Sequence, residues 1–324
     1  MHVLAKGAGV AGLAVAHELS LRGVDVTVVD PHPGSSQAAS WLAGGMLAPW
    51  CERESAEEAV LLRGRDATDR WDVILPGEVC RNGTLVVAPA RDQGELNRFA
   101  GRTGGHEWLD EGHIASLEPA LAGRFRRALF FRQEGHMNPR RAMALLRQKL
   151  VARHVHFIDT LADEHVFDDV VDCTGAARIG RTSGLRGVRG EMLYLETREV
   201  SLARPVRLLH PRFPVYIVPR GDGLFMVGAT MIETEFGGPI SARSMMELLN
   251  AAYAVHPAFA DAAIVETGVG IRPAFADNFP RATREADAVV LNGLYRHGFL
   301  LAPAMAQEAA DLVFARTEPG GNCR

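Results

Sequence analysis

The pattern of apolar residues over positions 1–30 predicts a strand, a helix and a second strand. The chain opens with the apolar stretch HVLAKGAG, and the stretch AGLAVAHELSLRG that follows has apolar residues at helical spacing. Gly23 is typical of a helix C-terminal cap. Residues 24–30, VDVTVVD, are rich in β-branched residues and end on an acid, as buried parallel strands often do. The N-terminal segment is therefore predicted to be a β-α-β unit.

The patterns further along the chain predict elements of both kinds. Residues 54–74 have the spacing of one helix, and residues 81–90 indicate a strand after an Asn-Gly turn. Asn138 as N-cap and Pro139 at the first helical position are typical of a helix start. Residues 213–230 predict two strands joined by a Gly-Asp-Gly turn, which is a hairpin signal.

Parallel-strand and helix patterns like those of the N-terminal segment recur towards the C-terminus. Short apolar stretches at 155–158 and 168–176 indicate parallel strands. Residues 287–316 predict a strand, a Gly-rich loop and a final helix that begins near Ala302 and Pro303. We therefore predict an α/β fold: a Rossmann-like dinucleotide-binding domain built from separate segments, with an antiparallel-sheet second domain of the α+β type.

Composition narrows the class of protein. The 324 residues, with a formal net charge of −4 and 47% hydrophobic residues, suit a globular protein of two domains. No block of basic residues favours nucleic-acid binding, and no apolar run is long enough to span a membrane. The opening stretch has no charged n-region and apolar h-region, so we do not expect a secretory signal. No CxxC pair or zinc pattern occurs among the cysteines Cys51, Cys80, Cys173 and Cys323. We expect a cytoplasmic protein with free thiols and no metal site.

The turn after the first strand carries the sequence Gly7-Ala8-Gly9-Val10-Ala11-Gly12. It follows a strand and begins a helix, and the acid Asp30 ends the next strand, as in a dinucleotide-binding turn. The helix N-terminus favours phosphate, and Asp30 can accept hydrogen bonds from ribose hydroxyls. The alternative is a structural glycine turn without a ligand. Lys6, just before the turn, either approaches the dinucleotide or lies in solvent.

Two further segments favour FAD over NAD. Residues 35–47, SSQAASWLAGGML, are predicted to form a loop of small residues. Its part 40–47 lies where a nicotinamide dehydrogenase continues with another βα unit. Residues 170–176, VVDCTGA, are a strand that closes on Thr-Gly, which is a second, weaker fingerprint of flavoproteins with two dinucleotide-binding domains.

Several segments together resemble the glycine/D-amino acid oxidase (DAO) family of FAD-dependent oxidoreductases, most closely its ThiO-type glycine oxidases of thiamine biosynthesis. Beside the glycine turn with Asp30, they are AGGML followed by CERES, VRGEML (188–193), YIVPRGDGLFMVGATM (216–231), GVGIRP (268–273) and LYRHGFLLAPA (294–304). The resemblance implies a glutathione-reductase-type FAD-binding domain and a substrate-binding domain. The first would comprise residues 1–75, 136–187 and 265–324, and the second residues 76–135 and 188–264.

The resemblance also implies roles for individual residues. Tyr216, Arg272 and Arg296 match catalytic residues, of which Tyr216 and Arg272 bind the substrate carboxylate, and Met46 and Met231 match methionines of a small substrate pocket. The implied FAD contacts are Gly7, Gly9, Val10, Ala11, Gly12, Asp30, Ala39, Ser40, Gly44, Gly45, Met46, Leu161, Thr174, Gly175, Arg272, Leu294, Tyr295, Arg296, His297, Gly298, Phe299 and Leu300.

Arg272 is conspicuous from the residues alone. It follows the apolar run VGI, where a buried guanidinium needs an anion. Its planar, permanently charged group suits bidentate binding of a carboxylate in a desolvated pocket. The alternative is a structural acid, Glu266 or Asp277, as its partner. The segment behind it, residues 274–281, departs from the family because Asn278 stands where a glycine-containing turn is usual.

The implied function is FAD-dependent oxidation of a small amino acid, with glycine expected, non-covalently bound FAD as cofactor and O₂ as acceptor. Hydride transfer from Cα to flavin N5 would give an imino acid and H₂O₂. The imino acid would hydrolyse to glyoxylate and ammonia, or serve thiazole synthesis with a thiazole synthase. Two alternatives stay open: an oxidase or dehydrogenase of sarcosine, a D-amino acid or proline, and a flavin-binding module without catalysis. A homo-oligomer is also compatible with the sequence.

Overall fold

The structure, a computed structural model, describes residues 1–32, 38–209 and 214–315. These residues form a mixed α/β fold with two large sheets. In chain order the strands are β1 (His2–Lys6), β2 (Asp25–Val29), β3 (Met46–Leu47), β4 (Thr84–Val87), β5 (Glu107–Asp110), β6 (Arg127–Phe131), β7 (Gly135–His136), β8 (His156–Ile158), β9 (Asp169–Asp172), β10 (Arg186–Glu196), β11 (Val206–Leu208), β12 (Val215–Pro219), β13 (Leu224–Gly228), β14 (Ile232–Glu233), β15 (Ala263–Ala274), β16 (Arg281–Glu285) and β17 (Ala288–Asn292).

The helices pack on the two sheets or connect them. They are α1 (Val10–Leu21), α2 (Pro49–Glu52), α3 (Glu58–Gly64), α4 (Ala67–Ile74), α5 (Gln93–Arg102), α6 (Glu111–Leu117), α7 (Pro139–Ala152), α8 (Ala242–Val255) and α9 (Gly298–Ala315). The predicted start of α7 is confirmed, since the Asn138 side chain accepts hydrogen bonds from the backbone N–H groups of Arg140 and Arg141. Among the described residues, no helix has the length and apolar character needed to cross a membrane.

The first sheet has the strand order β16-β17-β9-β1-β2-β8. Its central strand β1 pairs in parallel with β2 on one side and with β9 on the other, so the predicted β-α-β unit is confirmed. The pairs β2–β8 and β17–β9 are parallel as well, as the apolar stretches at 155–158 and 168–176 predicted. Apolar residues of α1, α7 and α9 pack on this sheet and form one core. The turns after β1 and β9 therefore meet at the carboxyl edge of the sheet, where nucleotides bind in such folds.

The second sheet has the order β14-β10-β13-β12-β11-β4-β6-β5, and β15 pairs with β10. Its pairs are antiparallel except β4–β11, which is parallel. The predicted hairpin is confirmed, because β12 and β13 are antiparallel neighbours on either side of the Gly-Asp-Gly turn. A second core lies between this sheet and α8. The register of β10 and β15 places Val188 opposite Arg272. The domain limits given above stay a prediction.

The prediction of one helix over residues 54–74 was wrong. The chain forms α3 and α4 instead, with a break after Gly64. A Cβ on Gly64 would stand 2.8 Å from Cγ and Cδ1 of Leu300. The break therefore falls where the backbone packs closely against α9, which helical periodicity does not show.

The final helix also differs from its prediction, because α9 begins at Gly298, before Ala302 and Pro303. Pro303 lies inside the helix and has no N–H to donate to the carbonyl of Phe299, four residues earlier. The indole Nε1 of Trp71 donates to this carbonyl instead, at 2.6 Å. A donor 228 residues away in sequence thus lets the helix continue through the proline.

The unusual segment after Arg272 forms a tight turn without glycine. Asn278 has φ +57°, and its N–H donates to the Phe275 carbonyl at 2.9 Å. Asparagine enters the left-handed region more readily than most residues with a side chain. Arg186 donates to the Asn278 side chain at 2.9 Å and fixes the turn further. Asn278 therefore replaces the glycine of the usual turn.

Some predicted features lie outside the described residues. They are residues 35–37 of the small-residue loop, residue 213 at the start of the hairpin segment, the last residue of the 287–316 segment, and Cys323. The other cysteines, Cys51, Cys80 and Cys173, are free thiols.

Candidate active site

The turn between β1 and α1 is shaped for close approach of a ligand. Gly7 has φ +89°, a conformation that favours glycine. A Cβ on Gly12 would collide with the Gly7 carbonyl, so Gly12 allows the close packing that the fingerprint requires. Ser40 Oγ accepts a hydrogen bond from the Val10 N–H, at 3.1 Å. The first turn of α1 holds no acid, so the positive end of its dipole can attract a pyrophosphate.

A cavity of about 550 Å³ extends from this turn to the second sheet. Its size is within the range of cofactor and substrate pockets. Most of the predicted site residues line it: Gly7, Gly9, Val10, Ala11, Asp30, Ala39, Ser40, Gly44, Gly45, Met46, Thr174, Gly175, Tyr216, Met231, Arg272, Leu294, Tyr295, Arg296, Gly298 and Phe299. One cavity therefore joins the two fingerprints to the tyrosine and the two arginines.

Four of the predicted FAD-contact residues do not line the cavity, namely Gly12, Leu161, His297 and Leu300. Gly12 packs behind the turn, and Leu300 lies against the backbone of Gly64. His297 is buried, with Nδ1 3.4 Å from Oε2 of Glu52. Leu161 lies in the connection between β8 and β9, which is short in this chain.

The loop of small residues forms one wall of the cavity. Gly45 has φ +68°, and a Cβ there would stand 3.0 Å from the ring of Pro139, so the loop lies tightly against the start of α7. Arg220 Nη2 donates to the carbonyls of Gly44 and Ala43, at 2.9 and 3.3 Å. These contacts fix the loop backbone.

Arg272 lines the cavity with no carboxylate in ion-pair range among the described residues. Its Nη1 donates to the carbonyl of Thr230 at 3.0 Å. The proposed structural partners, Glu266 and Asp277, pair with other arginines at 2.5 and 2.8 Å. Burial lowers the pKa of Arg272 below its ordinary value, which reflects the cost of a guanidinium held here without an anion. The cavity therefore contains a cation that a ligand can neutralise.

Tyr216 reaches the cavity from β12. Its hydroxyl accepts a hydrogen bond from Arg207 Nη1 at 2.8 Å and donates one to Glu52 Oε1 at 3.3 Å. Burial raises the pKa of Tyr216 well above its ordinary value, so the phenol keeps its proton at neutral pH. The Tyr216 hydroxyl is therefore neutral and fixed in position, at the end of the cavity that lies at the second sheet.

Arg296 differs from Arg272, because it has an acidic partner. Its Nε lies 2.7 Å from Oε2 of Glu52, as an ion pair without hydrogen-bond alignment. Its Nη2 donates to Ser55 Oγ at 2.6 Å, and its Nη1 lies 3.5 Å from the sulfur of Met231. The charge of Arg296 is therefore balanced by the protein itself.

Glu52 lines the cavity, although the sequence reasoning gave it no role. It is 7% exposed. Burial alone would raise its pKa, but Arg296, His297, Arg207 and the Tyr216 hydroxyl together hold the pKa below its ordinary value. Glu52 is therefore ionised at neutral pH. Its sequence signal was the acid in CERES, directly after the small-residue loop.

Arg207 is a second residue that the sequence reasoning missed. It is 2% exposed on β11, behind the cavity lining. Beside Tyr216, it donates to the Cys51 carbonyl at 3.1 Å and to Glu54 Oε2 at 3.3 Å. The signal that marks Arg272, a guanidinium within an apolar stretch, also marks Arg207 in PVRLL. It holds the tyrosine and the neighbouring acids in place.

The structure also locates Lys6, whose position the sequence leaves open, and the cysteine Cys51. Lys6 Nζ pairs with Glu164 at 2.5 Å, so its ammonium is directed to this acid and does not line the cavity. Cys51 is fully buried, and burial raises the pKa of its thiol well above the ordinary value, so the thiol is unreactive. Across the described ranges, no group of three or more His, Cys, Asp or Glu side chains is arranged to hold a metal ion.

The sequence matches known proteins over most of its length. The model of the DAO family of FAD-dependent oxidoreductases matches residues 3–312. The chain is 64% identical over 312 residues to a Rhizobium etli protein provisionally named thiamine biosynthesis oxidoreductase ThiO, which covers 96% of this chain and 95% of that protein. It is 27% identical over 338 residues to the bifunctional protein ThiO/ThiG of Nostoc sp., which covers 95% of this chain and 52% of that protein.

The fold is similar to the crystal structure of glycine oxidase from Geobacillus kaustophilus. The TM-score is 0.80 at 23% identity, over 98% of this chain and 95% of that chain. This similarity confirms the predicted α/β fold class. The roles of individual residues stay predictions.

Proposed function

Because this chain belongs to the DAO family of FAD-dependent oxidoreductases and uses FAD, we propose that it oxidises a small amino acid, with glycine as the first candidate. The observation that carries the proposal is Arg272, a cation in the cavity with no carboxylate partner among the described residues. The carboxylate of an amino acid would supply the missing anion.

The geometry around Arg272 supports carboxylate binding. A guanidinium has five N–H donors, and among the described residues Thr230 accepts from one nitrogen only. The remaining donors suit the two oxygens of one carboxylate, and such charge-assisted pairs are among the strongest hydrogen bonds in proteins. Arg272 would thereby orient the substrate by its acid end.

Apolar side chains favour a small substrate. Met46, Met192, Met226 and Met231 line the same cavity. The Tyr295 hydroxyl lies 3.1 Å from the Met231 sulfur, which narrows the space beside Arg296. Glycine, which has no side chain, makes the least demand on this space.

The residues present fit FAD. The glycine turn and the N-terminus of α1 would hold the pyrophosphate, Asp30 the ribose, and the small-residue loop the ring system. When bound, FAD accepts a hydride from the substrate carbon and delivers the electrons to O₂. Tyr216 is too weak an acid to be deprotonated at neutral pH, and its hydroxyl is already bonded to Arg207 and Glu52. Tyr216 would therefore take no proton from the substrate, and no side-chain base is needed if the amine binds in its neutral form.

A substrate panel with peroxide detection tests the proposal. The FAD-loaded protein is assayed aerobically with glycine, sarcosine, D-alanine and proline. We expect glycine to be turned over, with H₂O₂ and glyoxylate formed in equal amounts. Turnover of neither glycine nor sarcosine would contradict the proposal, and turnover with a dye but not with O₂ would contradict its oxidase part.

The proposal extends to the fate of the product. The names of the two relatives described above support a place in thiamine biosynthesis, where a thiazole synthase would take the imino acid. Glycine-dependent thiazole formation, when the protein is mixed with a thiazole synthase, would test this link to the synthase. No gain over added glyoxylate and ammonia would contradict it.

A further inference from the structure

We call the end of the cavity at the second sheet, where Arg272 lies, the substrate end. Among the described residues, this end carries more positive than negative charge. Among the described residues, the charged side chains that line this end are Arg272, Arg296 and Glu52, whereas Asp30 lies at the nucleotide end. Glu52 lies 2.7 Å from Arg296, and Arg272 has no such partner among the described residues. Taken together, these three described residues carry a single net positive charge.

Glu52 is held firmly in this arrangement. One carboxylate oxygen lies near Arg296 and His297, and the other accepts from the Tyr216 hydroxyl at 3.3 Å. Arg207 approaches the same carboxylate from behind, at 3.9 Å. One oxygen of Glu52 is hydrogen-bonded to Tyr216, the other is paired with Arg296, and the residue is 7% exposed. The carboxylate therefore cannot turn away from the cavity at low cost.

We propose that Glu52 determines how many carboxylates the substrate carries: it occupies Arg296 and leaves Arg272 to bind one carboxylate only. This inference rests on the proposed function. An amine with a second carboxylate would bring that anion towards Glu52 instead of a free arginine, and like charges placed together at a binding site are strongly unfavourable. The site would accept glycine and reject iminodiacetate or aspartate.

The matched variants are Glu52→Gln and Glu54→Gln. Both remove one carboxylate and keep its volume. Glu54 pairs with Arg207 at 3.3 Å but does not line the cavity, so its variant controls for the loss of a nearby charge. In Glu52→Gln, Arg296 loses its anion and becomes a second site for a substrate carboxylate.

The measurement is kcat/KM for iminodiacetate divided by that for glycine, in FAD-loaded proteins. We expect this ratio to rise about 10- to 100-fold in Glu52→Gln through a lower KM for iminodiacetate, and to stay within about threefold in Glu54→Gln. An unchanged ratio in Glu52→Gln, or an equal rise in both variants, would overturn the proposal.

A binding measurement on the unaltered protein keeps the proposal testable if Glu52→Gln does not fold. Acetate and malonate are titrated into the FAD-loaded protein, and binding is followed by the change in flavin absorbance. We expect malonate to bind at least about tenfold more weakly than acetate. Equal or tighter binding of malonate would overturn the proposal. This titration needs no turnover, so a failed glycine assay would count against the proposed function and not against the role of Glu52.

Discussion

Gly190 lies directly beneath the guanidinium of Arg272. A Cβ at position 190 would stand 2.8 Å from Arg272 Nη1 and closer still to Nη2 and Cζ. The two residues are on neighbouring strands, β10 and β15, whose register pairs Gly190 with Gly270 and Val188 with Arg272. The arginine therefore extends diagonally across a strand that has no side chain at this point.

This contact predicts the effect of Gly190→Ala. The added methyl group would displace the guanidinium, so we expect KM for glycine to rise about tenfold or more, with a smaller change in kcat, because charge-assisted hydrogen bonds to the carboxylate would be lost or misaligned. The flavin spectrum should be unchanged. Steady-state kinetics of the FAD-loaded variant provide the measurement.

Gly237→Ala is the matched control, because a Cβ there has nothing within 4 Å. Its KM should equal that of the unaltered protein. If both variants gave the same KM, the position of Arg272 would not depend on the space at Gly190.

The buried carboxyl group of Glu134 is expected to make the free energy of unfolding depend on pH. It is fully buried, accepts a hydrogen bond from the Cys51 N–H at 2.7 Å, and burial raises its pKa from 4.5 to about 7. A raised pKa in the folded state means that its contribution to stability is complete below pH 4.5 and is lost as pH rises to about 7. Glu134→Gln should therefore become more stable relative to the unaltered protein between pH 5 and pH 8, by on the order of 2 to 3 kcal/mol.

Urea unfolding of both proteins at several pH values gives this difference. The buried histidines His17, His136 and His297, whose pKa values burial lowers to about 4, act in the opposite direction and destabilise the fold as pH falls below 6.5. They are present in both proteins, so the comparison cancels their effect. The quantity compared is the free energy of unfolding of Glu134→Gln minus that of the unaltered protein. If this difference stays constant or falls from pH 5 to pH 8, Glu134 does not titrate in this range.

The hydrogen bond from Trp71 to the Phe299 carbonyl predicts that substitutions at Trp71 and Pro303 have coupled effects on the free energy of unfolding. Trp71→Phe removes the donor to the Phe299 carbonyl, and a buried carbonyl without a partner costs about 1 to 3 kcal/mol. Pro303→Ala supplies a backbone N–H that can take over this bond. Trp71→Phe should therefore cost less when Pro303→Ala is also present. A double-mutant cycle of unfolding free energies measures the coupling, and equal costs in both backgrounds would refute it.

The sequence predicted those parts of the fold and site whose signals are local. The β-α-β unit, the α7 start at Asn138 and the hairpin depend on residues close together in the chain. Arg272 was recognisable because a charge within an apolar strand needs a partner. The same signal marks Arg207 in PVRLL, but its partners Cys51 and Glu54 are distant in sequence, so its role became visible only in the structure.

The features that were missed depend on contacts between distant residues. Glu52 meets Tyr216 across 164 positions, and Trp71 meets Phe299 across 228. The spacing of residues along the chain predicts neither contact. For the same reason, the ion pair of Glu52 with Arg296 and the start of α9 at Gly298 became visible only in the structure. The turn at Asn278 was marked as unusual, but only its positive φ shows that asparagine takes the place of glycine.

The central claim is that Arg272 binds the carboxylate of a small amino acid that this protein oxidises. Anaerobic titration with glycine, followed by the visible absorbance of bound FAD, tests it most directly in the unaltered protein and in Arg272→Ala. We predict that glycine bleaches the flavin of the unaltered protein, and that Arg272→Ala keeps its FAD but needs on the order of 100-fold more glycine, since a charged hydrogen-bonding partner is lost. The claim would be contradicted if glycine left the unaltered flavin oxidised, or if Arg272→Ala were bleached at the same glycine concentrations.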